Sequence, residues 1–460
     1  MQTRLAVAIV LAAGVAGGAA PAAEASDVLK AVRSPKVAAT RAAREGELIV
    51  VFRDGADERD VQRALGEGRA AGARQSRSQA GRLLVRLEPG DAVRDAVTRF
   101  SRLPEVEYAE PNGLVRKSDG TTFKPDDRYY RYQWDMTQMN AERTWGIQKG
   151  KSTVAVAVLD GGIAYEDYTD PQTGVFYKKA PDWGDTVFLP GYDFVNGDAH
   201  PNDDEYHGTH VASTIAEATN NGIGVAGLAF GCALMPVKVL DENGEGTFFD
   251  LAEGIDYAVG FTQNGQKPVK VINMSLGSES SSETVRSAVD RALAAGVVLV
   301  AAAGNSAKGT VEFPANIPGV LAVAALDARK ERASYSNWGT ELHFAAPGGN
   351  CDRDDNADGE PDCVFQQMPD PDFLDVGRHD QFCYCGLDGT SMATPHVAAA
   401  AALLFSQGFT DANAVVKALE QTAERLGGAP ADGRNDGYGY GLPRPANALP
   451  GLGLDTGPKK

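Results

Sequence analysis

The sequence has few basic residues for its acidic content, few histidines and few cysteines. Its 460 residues include 44 Lys and Arg against 62 Asp and Glu, which gives a formal net charge of −18 at neutral pH. Neutralising phosphates requires clustered Lys and Arg, so we expect no nucleic-acid partner. Beyond residue 25 no apolar run is long enough to cross a bilayer. With 43% hydrophobic residues, the composition is that of a globular chain long enough for two or more domains.

The first residues have the pattern of an export signal. Met1-Gln-Thr-Arg4 gives a positively charged start, an Ala, Val, Leu and Gly run follows to about Ala20, and Ala23-Glu-Ala25 offers a small-residue cleavage site. The glycine content argues against a retained membrane anchor. We therefore expect a signal peptide at residues 1–25, secretion to the extracellular medium, and no membrane association after its removal.

Residues 45–115 alternate between strand-like and helix-like patterns. Acids and bases roughly cancel here, so the excess negative charge belongs to the rest of the chain. The spacing of apolar residues predicts the order β-α-β-α-β, which is enough for a small α+β domain. The predicted strands are 47–52, 83–87 and 106–108, and the predicted helices are 57–65 and 91–103.

Between residues 124 and 449, apolar β-branched strands alternate with helices. Continuous apolar strands with helical crossovers imply an α/β fold, with a mainly parallel sheet covered by helices on both faces. We expect residues 450–460 to form a flexible tail. The predicted strands are 154–159, 233–240, 269–273, 297–303 and 320–325, and the predicted helices are 207–218, 248–259, 283–295, 391–405 and 411–424.

Four of the five cysteines are clustered in one acidic loop region. In an exported chain this clustering favours two disulfides, for which the sequence leaves three pairings open. A four-cysteine zinc site is the alternative, but only two of the four are close, and one residue between them is poor chelate spacing. We expect Cys232, in an apolar run, to be a buried free thiol. The clustered four are Cys351, Cys363, Cys383 and Cys385.

Three separated motifs each contain one residue of a nucleophilic triad. Asp160 ends the run Val-Ala-Val-Ala-Val-Leu-Asp, His207 begins His-Gly-Thr-His-Val-Ala, and Ser391 lies within Gly-Thr-Ser-Met-Ala-Thr-Pro-His. A serine hydroxyl is a weak nucleophile that needs a neighbouring base, and the base needs an orienting partner. A strand end and a helix start are positions at which α/β proteins place their chemistry.

The motifs of two other catalytic classes do not fit. A zinc metalloprotease helix carries His-Glu-x-x-His, whereas Gly208 and Thr209 separate His207 from His210. The motif around Ser391 is not the Gly-x-Ser-x-Gly of an α/β-hydrolase. The chain order Asp, His, Ser is that of subtilisin. Together the motifs resemble those of the subtilase family of secreted serine peptidases, and among its branches they are most similar to the thermitase branch.

The resemblance implies a role for each catalytic residue. Ser391 would attack the peptide carbonyl, His207 would take up and return the proton, and Asp160 would orient the imidazole. The side-chain amide of Asn305, in Ala-Ala-Ala-Gly-Asn, matches the family's oxyanion donor, which would act beside a backbone N–H of Ser391.

The resemblance also implies a substrate-binding segment. Ser275, Leu276 and Gly277 follow a predicted strand and resemble the edge segment that pairs with extended substrate backbone. Gly277 and Gly304 would border the pocket for the residue before the cut. The expected partners are therefore proteins or peptides.

The end of the small N-terminal domain resembles the closing strand of the inhibitory propeptides that precede subtilase catalytic domains. The similar stretch is Val106-Glu-Tyr-Ala-Glu-Pro-Asn112, and a polar linker follows at residues 117–122. We expect the chain to be inhibited by its own propeptide, to be cut autocatalytically somewhere after Asn112, within this exposed linker, and to act as a monomer. An ordinary accessory domain is the alternative.

Two acidic loops carry oxygen ligands at spacings that suit calcium, and a third, uncharged segment is expected to bind calcium by resemblance alone. The loop from Asp193 resembles a calcium loop of the thermitase branch, and the turn at 220–223 resembles another subtilase calcium segment. Residues 352–362 alternate carboxylates as an EF-hand loop does, but Phe365 stands in place of the twelfth-position Glu, and a solvated turn is the alternative. The predicted ligands are Asp193, Asn196, Asp198, Asn221, Asp354, Asn356 and Asp358.

The sequence therefore predicts a secreted serine endopeptidase, made as an autoprocessed precursor and stabilised by calcium. One alternative is a non-catalytic, calcium-dependent binding protein on a subtilase scaffold, which only the acidic cysteine-containing region supports. Another is a processing protease that cuts a few specific sites.

Overall fold

The computed structural model describes residues 43–53, 55–76, 81–113, 122–263, 269–428 and 433–449. These residues form an N-terminal unit that ends near residue 119 and a larger unit that begins there. The predicted signal peptide at 1–25 and the predicted tail at 450–460 lie outside the described residues, as does most of the linker at 117–122.

The N-terminal unit contains a four-stranded antiparallel sheet and two helices. The strand order is β2-β3-β1-β4. Leu48, Val50 and Phe52, which alternate along β1, are buried together with Phe100 of α2. This is the period-two pattern expected of a sheet with one covered face. The elements are β1 (Ala43–Phe52), α1 (Glu58–Glu67), β2 (Ala70–Gln75), β3 (Arg82–Leu87), α2 (Val93–Phe100) and β4 (Val106–Gly113).

The predicted small α+β domain is confirmed, although the sequence pattern missed β2. This strand reads Ala-Ala-Gly-Ala-Arg-Gln, and five of its six residues are exposed. It is an edge strand paired through its main chain with β3, so it has no β-branched or aromatic side chains to identify it. The predicted helix starts at residue 57, one residue before α1 begins. Asp57 is the N-cap of α1, and its side chain accepts from the backbone N–H groups of Arg59 and Asp60.

The larger unit is built on a seven-stranded sheet in the order β13-β12-β11-β10-β5-β9-β8. All neighbouring strands are parallel. Every residue of β5 and β9 is buried, as expected of strands covered on both faces. The strands are β5 (Ala155–Asp160), β8 (Tyr192–Asp193), β9 (Ala233–Lys238), β10 (Val269–Met274), β11 (Val298–Ala302), β12 (Leu321–Leu326) and β13 (Leu342–Pro347), with a small hairpin of β6 (Tyr168–Thr169) and β7 (Phe176–Tyr177).

The main helices pack against this sheet in two pairs, α6 with α7 and α5 with α9. The predicted α/β fold is therefore confirmed. Helix α9 is almost completely buried, which agrees with its apolar character all round. The helices are α3 (Trp134–Gln138), α4 (Ala141–Trp145), α5 (His207–Ala216), α6 (Phe248–Gln263), α7 (Glu283–Ala294), α8 (Pro371–Leu374), α9 (Thr390–Gln407), α10 (Ala412–Thr422) and α11 (Pro445–Ala448).

The acidic cysteine-containing region forms an antiparallel ribbon that the sequence pattern did not predict. Its strands are β14 (Val364–Pro369) and β15 (Phe382–Leu387). Of the three pairings left open, the structure has the disulfides Cys351–Cys363 and Cys383–Cys385. Cys232 is a buried free thiol. Across the described ranges, none of the helices combines the length and apolar character that crossing a bilayer requires.

Candidate active site

The residues predicted to carry the chemistry lie at one edge of the large sheet. Asp160 is the last residue of β5, Ser275 directly follows β10, and Asn305 comes shortly after β11. These three strands are adjacent and parallel, so their carboxyl ends share an edge. His207 and Ser391 stand at the starts of α5 and α9, which pack against each other.

The structure brings Asp160 and His207 together. His207 Nδ1 lies 2.8 Å from Asp160 Oδ1, which also accepts from the Gly161 N–H at 2.8 Å. Asp160 is fully buried, whereas the His207 side chain is 21% exposed. A buried carboxylate can only accept a hydrogen bond, so the imidazole proton lies on Nδ1, which donates it. Nε2 is then left unprotonated and can act as a base.

A buried lysine links the elements that carry these two residues. Lys238, which pairs with Asp160 across β5 and β9, is fully buried. Its Nζ donates to the Gly161 carbonyl oxygen at 2.7 Å and to Asp204 Oδ1 at 2.6 Å. The ammonium thus connects the end of β5 to the loop that leads to His207. Sequence reasoning missed this residue, although a lone lysine inside the apolar run of β9 was a visible signal.

Carboxylates around His207 favour its charged form. Glu205 Oε2 accepts from the His207 backbone N–H at 3.0 Å, and Asp203 Oδ2 accepts from the Thr209 N–H at 2.8 Å. Burial opposes the imidazolium, but the attraction of Asp160, reinforced by Glu205 and Asp203, outweighs it. The result raises the pKa of His207 to about 9.

This raised pKa predicts an alkaline activity profile. A general base must be neutral, so we expect kcat/KM to rise with pH until the His207 imidazolium has lost its proton, near pH 9. Glu205→Gln removes a charge that favours the imidazolium. It should therefore move the acid limb of the profile, the range over which kcat/KM rises with pH, to lower pH.

Initial rates at subsaturating substrate across the pH range measure both effects. The exposed Glu283 provides a matched control, since Glu283→Gln should leave the limb in place. An acid limb near the ordinary histidine pKa of about 6.5, unmoved by Glu205→Gln, would contradict this electrostatic account.

Ser391 is the second residue of α9 and contacts the segment after β10. Its Oγ donates to the Ser275 carbonyl oxygen at 3.0 Å, and Ser275 Oγ donates to the Ser391 carbonyl oxygen at 2.8 Å. Within the described part of the chain, no hydrogen bond joins Ser391 to His207. Catalytic hydrogen bonds are often unformed before substrate binds, so this geometry leaves the hydroxyl available for a rotation towards the imidazole.

Asn305 lies beside the start of α9. Its Oδ1 accepts from the Thr390 backbone N–H and from Thr390 Oγ1, both at 2.9 Å. Its Nδ2 donates to no residue of the described ranges, and it would lie 3.5 Å from a Cβ built on Gly389. The amide is thus fixed through its oxygen while its N–H₂ group stays free.

The predicted substrate-binding residues also contact the start of α9. Ser275 accepts from the Ser391 hydroxyl, and Leu276 and Gly277 continue from it. On the other side, the Gly304 N–H donates to Thr390 Oγ1 at 3.2 Å. Ser275, two residues before the Gly277 wall, and the Gly304 wall itself are therefore both bonded to the first residues of α9.

The predicted calcium loop after β8 is closed by hydrogen bonds to its own backbone. Asp193 Oδ1 accepts from the N–H groups of Val195 and Asn196 at 2.8 and 2.9 Å, and its Oδ2 accepts from Asn196 Nδ2 at 3.0 Å. Asp198 Oδ1 accepts from the His200 N–H at 2.8 Å. These carboxylates hold the turn in place.

The second predicted loop brings its three candidate ligands to one turn. Asp354 Oδ1 and Asn356 Oδ1 both accept from the Asp358 backbone N–H, at 3.2 and 2.8 Å, and Asp354 Oδ2 accepts from the Gly359 N–H at 3.2 Å. Two side-chain oxygens therefore face one backbone N–H, whereas the Asp358 side chain accepts from the Glu360 N–H at 2.9 Å.

The third predicted segment adjoins buried acids that sequence reasoning missed. Asn221 Nδ2 donates to Asp182 Oδ1 at 2.6 Å, and Asp127 accepts from the Asn220 N–H at 2.8 Å. The buried Glu217 carboxyl lies beside Asp182 and Ser213. Burial raises the pKa of Asp182 to about 6 and holds that of Glu217 well above its usual range. No sequence pattern marks these acids, because they are separated along the chain.

Side chains alone form no evident metal centre in the part of the chain that is described. No three His, Cys, Asp or Glu side chains there are grouped as metal ligands. A calcium site drawing on amide and backbone carbonyl oxygens would not produce such a group.

Comparison with known proteins agrees with this geometry. Residues 151–441 match the sequence model of the subtilase family, and residues 30–112 match that of the fervidolysin N-terminal prodomain. The chain is 35% identical over 385 residues to a thermophilic serine proteinase of Bacillus sp. strain AK1, covering 84% of this chain and 83% of that protein. It is 33% identical over 320 residues to thermitase of Thermoactinomyces vulgaris, covering 69% and 98%.

A solved structure described as proteases from Pseudoalteromonas arctica is also similar. It matches with a TM-score of 0.60 at 30% identity, covering 71% of this chain and 98% of that one. The family match extends over more than half of the chain and includes the strands and helices that carry Asp160, His207 and Ser391. The chain therefore belongs to the subtilase family, as a subtilisin-like serine protease with an N-terminal prodomain.

Proposed function

We propose that the mature enzyme is a secreted endopeptidase that uses Asp160, His207 and Ser391 as its catalytic triad. The observation that carries this proposal is the 2.8 Å contact between His207 Nδ1 and Asp160 Oδ1, at the sheet edge where Ser391 and Asn305 also lie. This contact orients the imidazole and stabilises the imidazolium that forms during the reaction.

The reaction would proceed through an acyl-enzyme. Ser391 Oγ leaves the Ser275 carbonyl, gives its proton to His207 Nε2 and attacks the substrate carbonyl carbon. The developing oxyanion accepts from Asn305 Nδ2 and from the backbone N–H of Ser391, which has no intrahelical partner at the start of α9. The imidazolium then protonates the leaving amine, and water repeats the sequence to release the acid.

The N-terminal unit would act as the enzyme's own inhibitory propeptide. Its match to a prodomain over residues 30–112 and its separate hydrophobic core support this role. The exported precursor would lose residues 1–25 and would then be cut by its own triad somewhere after Asn112. The two disulfides suit an oxidising exterior. We expect a monomer that acts on proteins and peptides and binds no nucleic acid.

Calcium would serve as a structural cofactor, as it commonly does in subtilases. Asp182, Glu217 and Asp127 are buried acids in the region of Asn221, whose amide Nδ2 donates to Asp182, and in their ionised forms they would carry negative charge there. Among the described residues no Lys, Arg or His forms an ion pair with these three acids, and such charge is costly to bury without a cation. A divalent ion held here would neutralise it. Further calcium would be held by the Asp193 loop and by the turn of Asp354, Asn356 and Asp358.

Removing calcium is expected to destabilise the folded enzyme. An ion bound only by the folded state contributes about 2.7 kcal/mol when it is present at about 100 times its Kd. Melting curves of a Ser391→Ala protein, which cannot digest itself, would show a lower Tm in chelator than in calcium. Asn221→Ala should reduce this difference, and Asp354→Ala tests the acidic turn separately. An unchanged Tm after metal removal verified by elemental analysis would refute the structural role.

An organophosphonate serine trap, which reacts with an activated serine, distinguishes an enzyme from a binding protein on a subtilase scaffold. An enzyme reacts with the trap and a binding protein does not. We expect one equivalent of the trap to attach to Ser391 and to abolish peptide hydrolysis. Purified mature protein that binds calcium but neither reacts nor hydrolyses peptides would favour the binding protein. Cleavage at only a few sites of a peptide library would instead favour the narrow processing protease.

A further inference from the structure

One acidic side chain lies between the two predicted walls of the substrate pocket. Glu312 follows the loop after β11, and its backbone N–H donates to the Ala303 carbonyl oxygen at 3.0 Å, next to the Gly304 wall. The following residue, Phe313, exchanges backbone hydrogen bonds of 2.7 and 3.1 Å with Ser278, next to the Gly277 wall. The segment that carries Glu312 is therefore attached to both walls and forms the base between them.

The Glu312 carboxylate occupies the space that the two glycines leave open. A Cβ atom built on Gly277 would lie 2.7 Å from Glu312 Oε2, and one built on Gly304 would lie 2.6 Å from Oε1. Both distances are too short for real contacts, so a side chain on either wall would displace the carboxylate. Gly304 also has φ +104, which disfavours any other residue.

The carboxylate is fixed on one side and open on the other. Oε1 accepts from Asn337 Nδ2 at 3.3 Å and from Ser306 Oγ at 3.4 Å, whereas Oε2 accepts no hydrogen bond from the described residues. Glu312 is only partly buried, so Oε2 can be reached from outside. This orientation leaves Oε2 available as an acceptor for a substrate side chain that enters the pocket.

No protein cation neutralises this charge. In the described ranges, Glu312 forms no ion pair with Lys, Arg or His. Lys308 is the cation whose field it feels, but the Lys308 ammonium is bonded to Glu279. A partly buried, unpaired carboxylate attracts a cation and repels an anion more strongly than a solvated one.

We propose that Glu312 makes the pocket for the residue before the cut a site for lysine or arginine. The proposal rests on the proposed function and names its substrate class. The aliphatic part of the substrate side chain would lie over the carboxylate, along the segments that contain Gly277 and Gly304, and its charged end would donate to Oε2, which has no other donor among the described residues. An acidic residue in a specificity pocket selects cationic substrates in the same way in trypsin.

Peptides that differ only in the residue before the cut test the proposal. We expect the mature enzyme to cleave a lysine or arginine substrate with a kcat/KM at least about tenfold above that of the phenylalanine analogue, and to cleave the glutamate analogue slowest. Glu312→Gln keeps the shape and an acceptor for Asn337 but removes the charge. It should lower the lysine-to-phenylalanine ratio about tenfold or more, because the lysine peptide loses the attraction of the charge and the phenylalanine peptide does not.

The exposed Glu283 again supplies a matched control, and Glu283→Gln should not change the ratio. Titration of Glu312→Gln with the serine trap counts its active sites, so that both rates refer to folded enzyme. Wild-type enzyme that cleaves phenylalanine peptides at least as fast as lysine peptides would overturn the assignment of Glu312 but leave the peptidase in place. Failure to cleave any peptide, with no labelling of Ser391 by the serine trap, would instead refute the proposed function.

Discussion

Replacing Ser391 with alanine is expected to reduce peptide hydrolysis by about a millionfold and to stop maturation. The methyl group cannot attack a carbonyl carbon, so the Asp160–His207 pair would have no nucleophile to activate. If the precursor cuts itself, Ser391→Ala should accumulate as uncut chain that retains residues 45–115. Expression with immunoblotting of the N-terminal unit, together with kinetics of the purified protein, measures both effects.

The exposed Ser334 gives a control for the serine-to-alanine change, since Ser334→Ala should mature and hydrolyse peptides normally. Normal processing of Ser391→Ala in a host that lacks other exported proteases would exclude cleavage by any separate enzyme and place the nucleophile elsewhere. If Ser391→Ala is processed in an ordinary host but not in a host that lacks other exported proteases, the cut is made by a separate protease.

Replacing Asn305 with alanine is expected to lower kcat by about 10² to 10³ with little change in KM. The free Nδ2 group would donate to the oxyanion, which exists only after the attack, so its loss affects the transition state more than substrate binding. The variant also removes the acceptor of the Thr390 N–H, and a melting curve detects any resulting instability.

Asn447→Ala, at an exposed position of α11, controls for the loss of a surface amide. Titration with the serine trap would count active sites in each preparation, so that the rates refer to folded enzyme. An Asn305→Ala enzyme with unchanged kcat per active site would remove this amide from the mechanism. A rise in KM alone would assign it to substrate binding instead.

The fold could be predicted from the sequence where side chains are repeated regularly. Strands such as β5 and β9 are buried throughout and apolar up to their last residue because helices cover both faces of the sheet, and that pattern can be read locally. The edge strand β2 and the ribbon of β14 and β15 could not be predicted, since main-chain pairing with a neighbour forms them. The disulfide pairing likewise depends on which cysteines the ribbon brings together.

At the site, the sequence motifs singled out residues that the fold places along one sheet edge. Asp160 and His207 are in contact, and Asn305 and Ser275 both bond to the start of α9. The catalytic roles assigned to these residues, and to Ser391, stay predictions.

Residues that act by charge were not found from the sequence. Lys238 and Glu312 belong to no motif, and their meaning depends on neighbours from other parts of the chain. The acids that converge near Asn221 are separated in the same way. Electrostatic partners of this kind are set by tertiary contacts, so local patterns do not identify them.

We expect Ser391 to form a covalent acyl intermediate with the help of His207 and Asp160. Mixing mature enzyme with a nitrophenyl ester should release a rapid burst of about one nitrophenol per active site, followed by slower turnover. Peptide mass spectrometry of the quenched enzyme should locate the acyl group on Ser391. Hydrolysis without a burst and without any acylated residue, or an acyl group on a different side chain, would contradict the account.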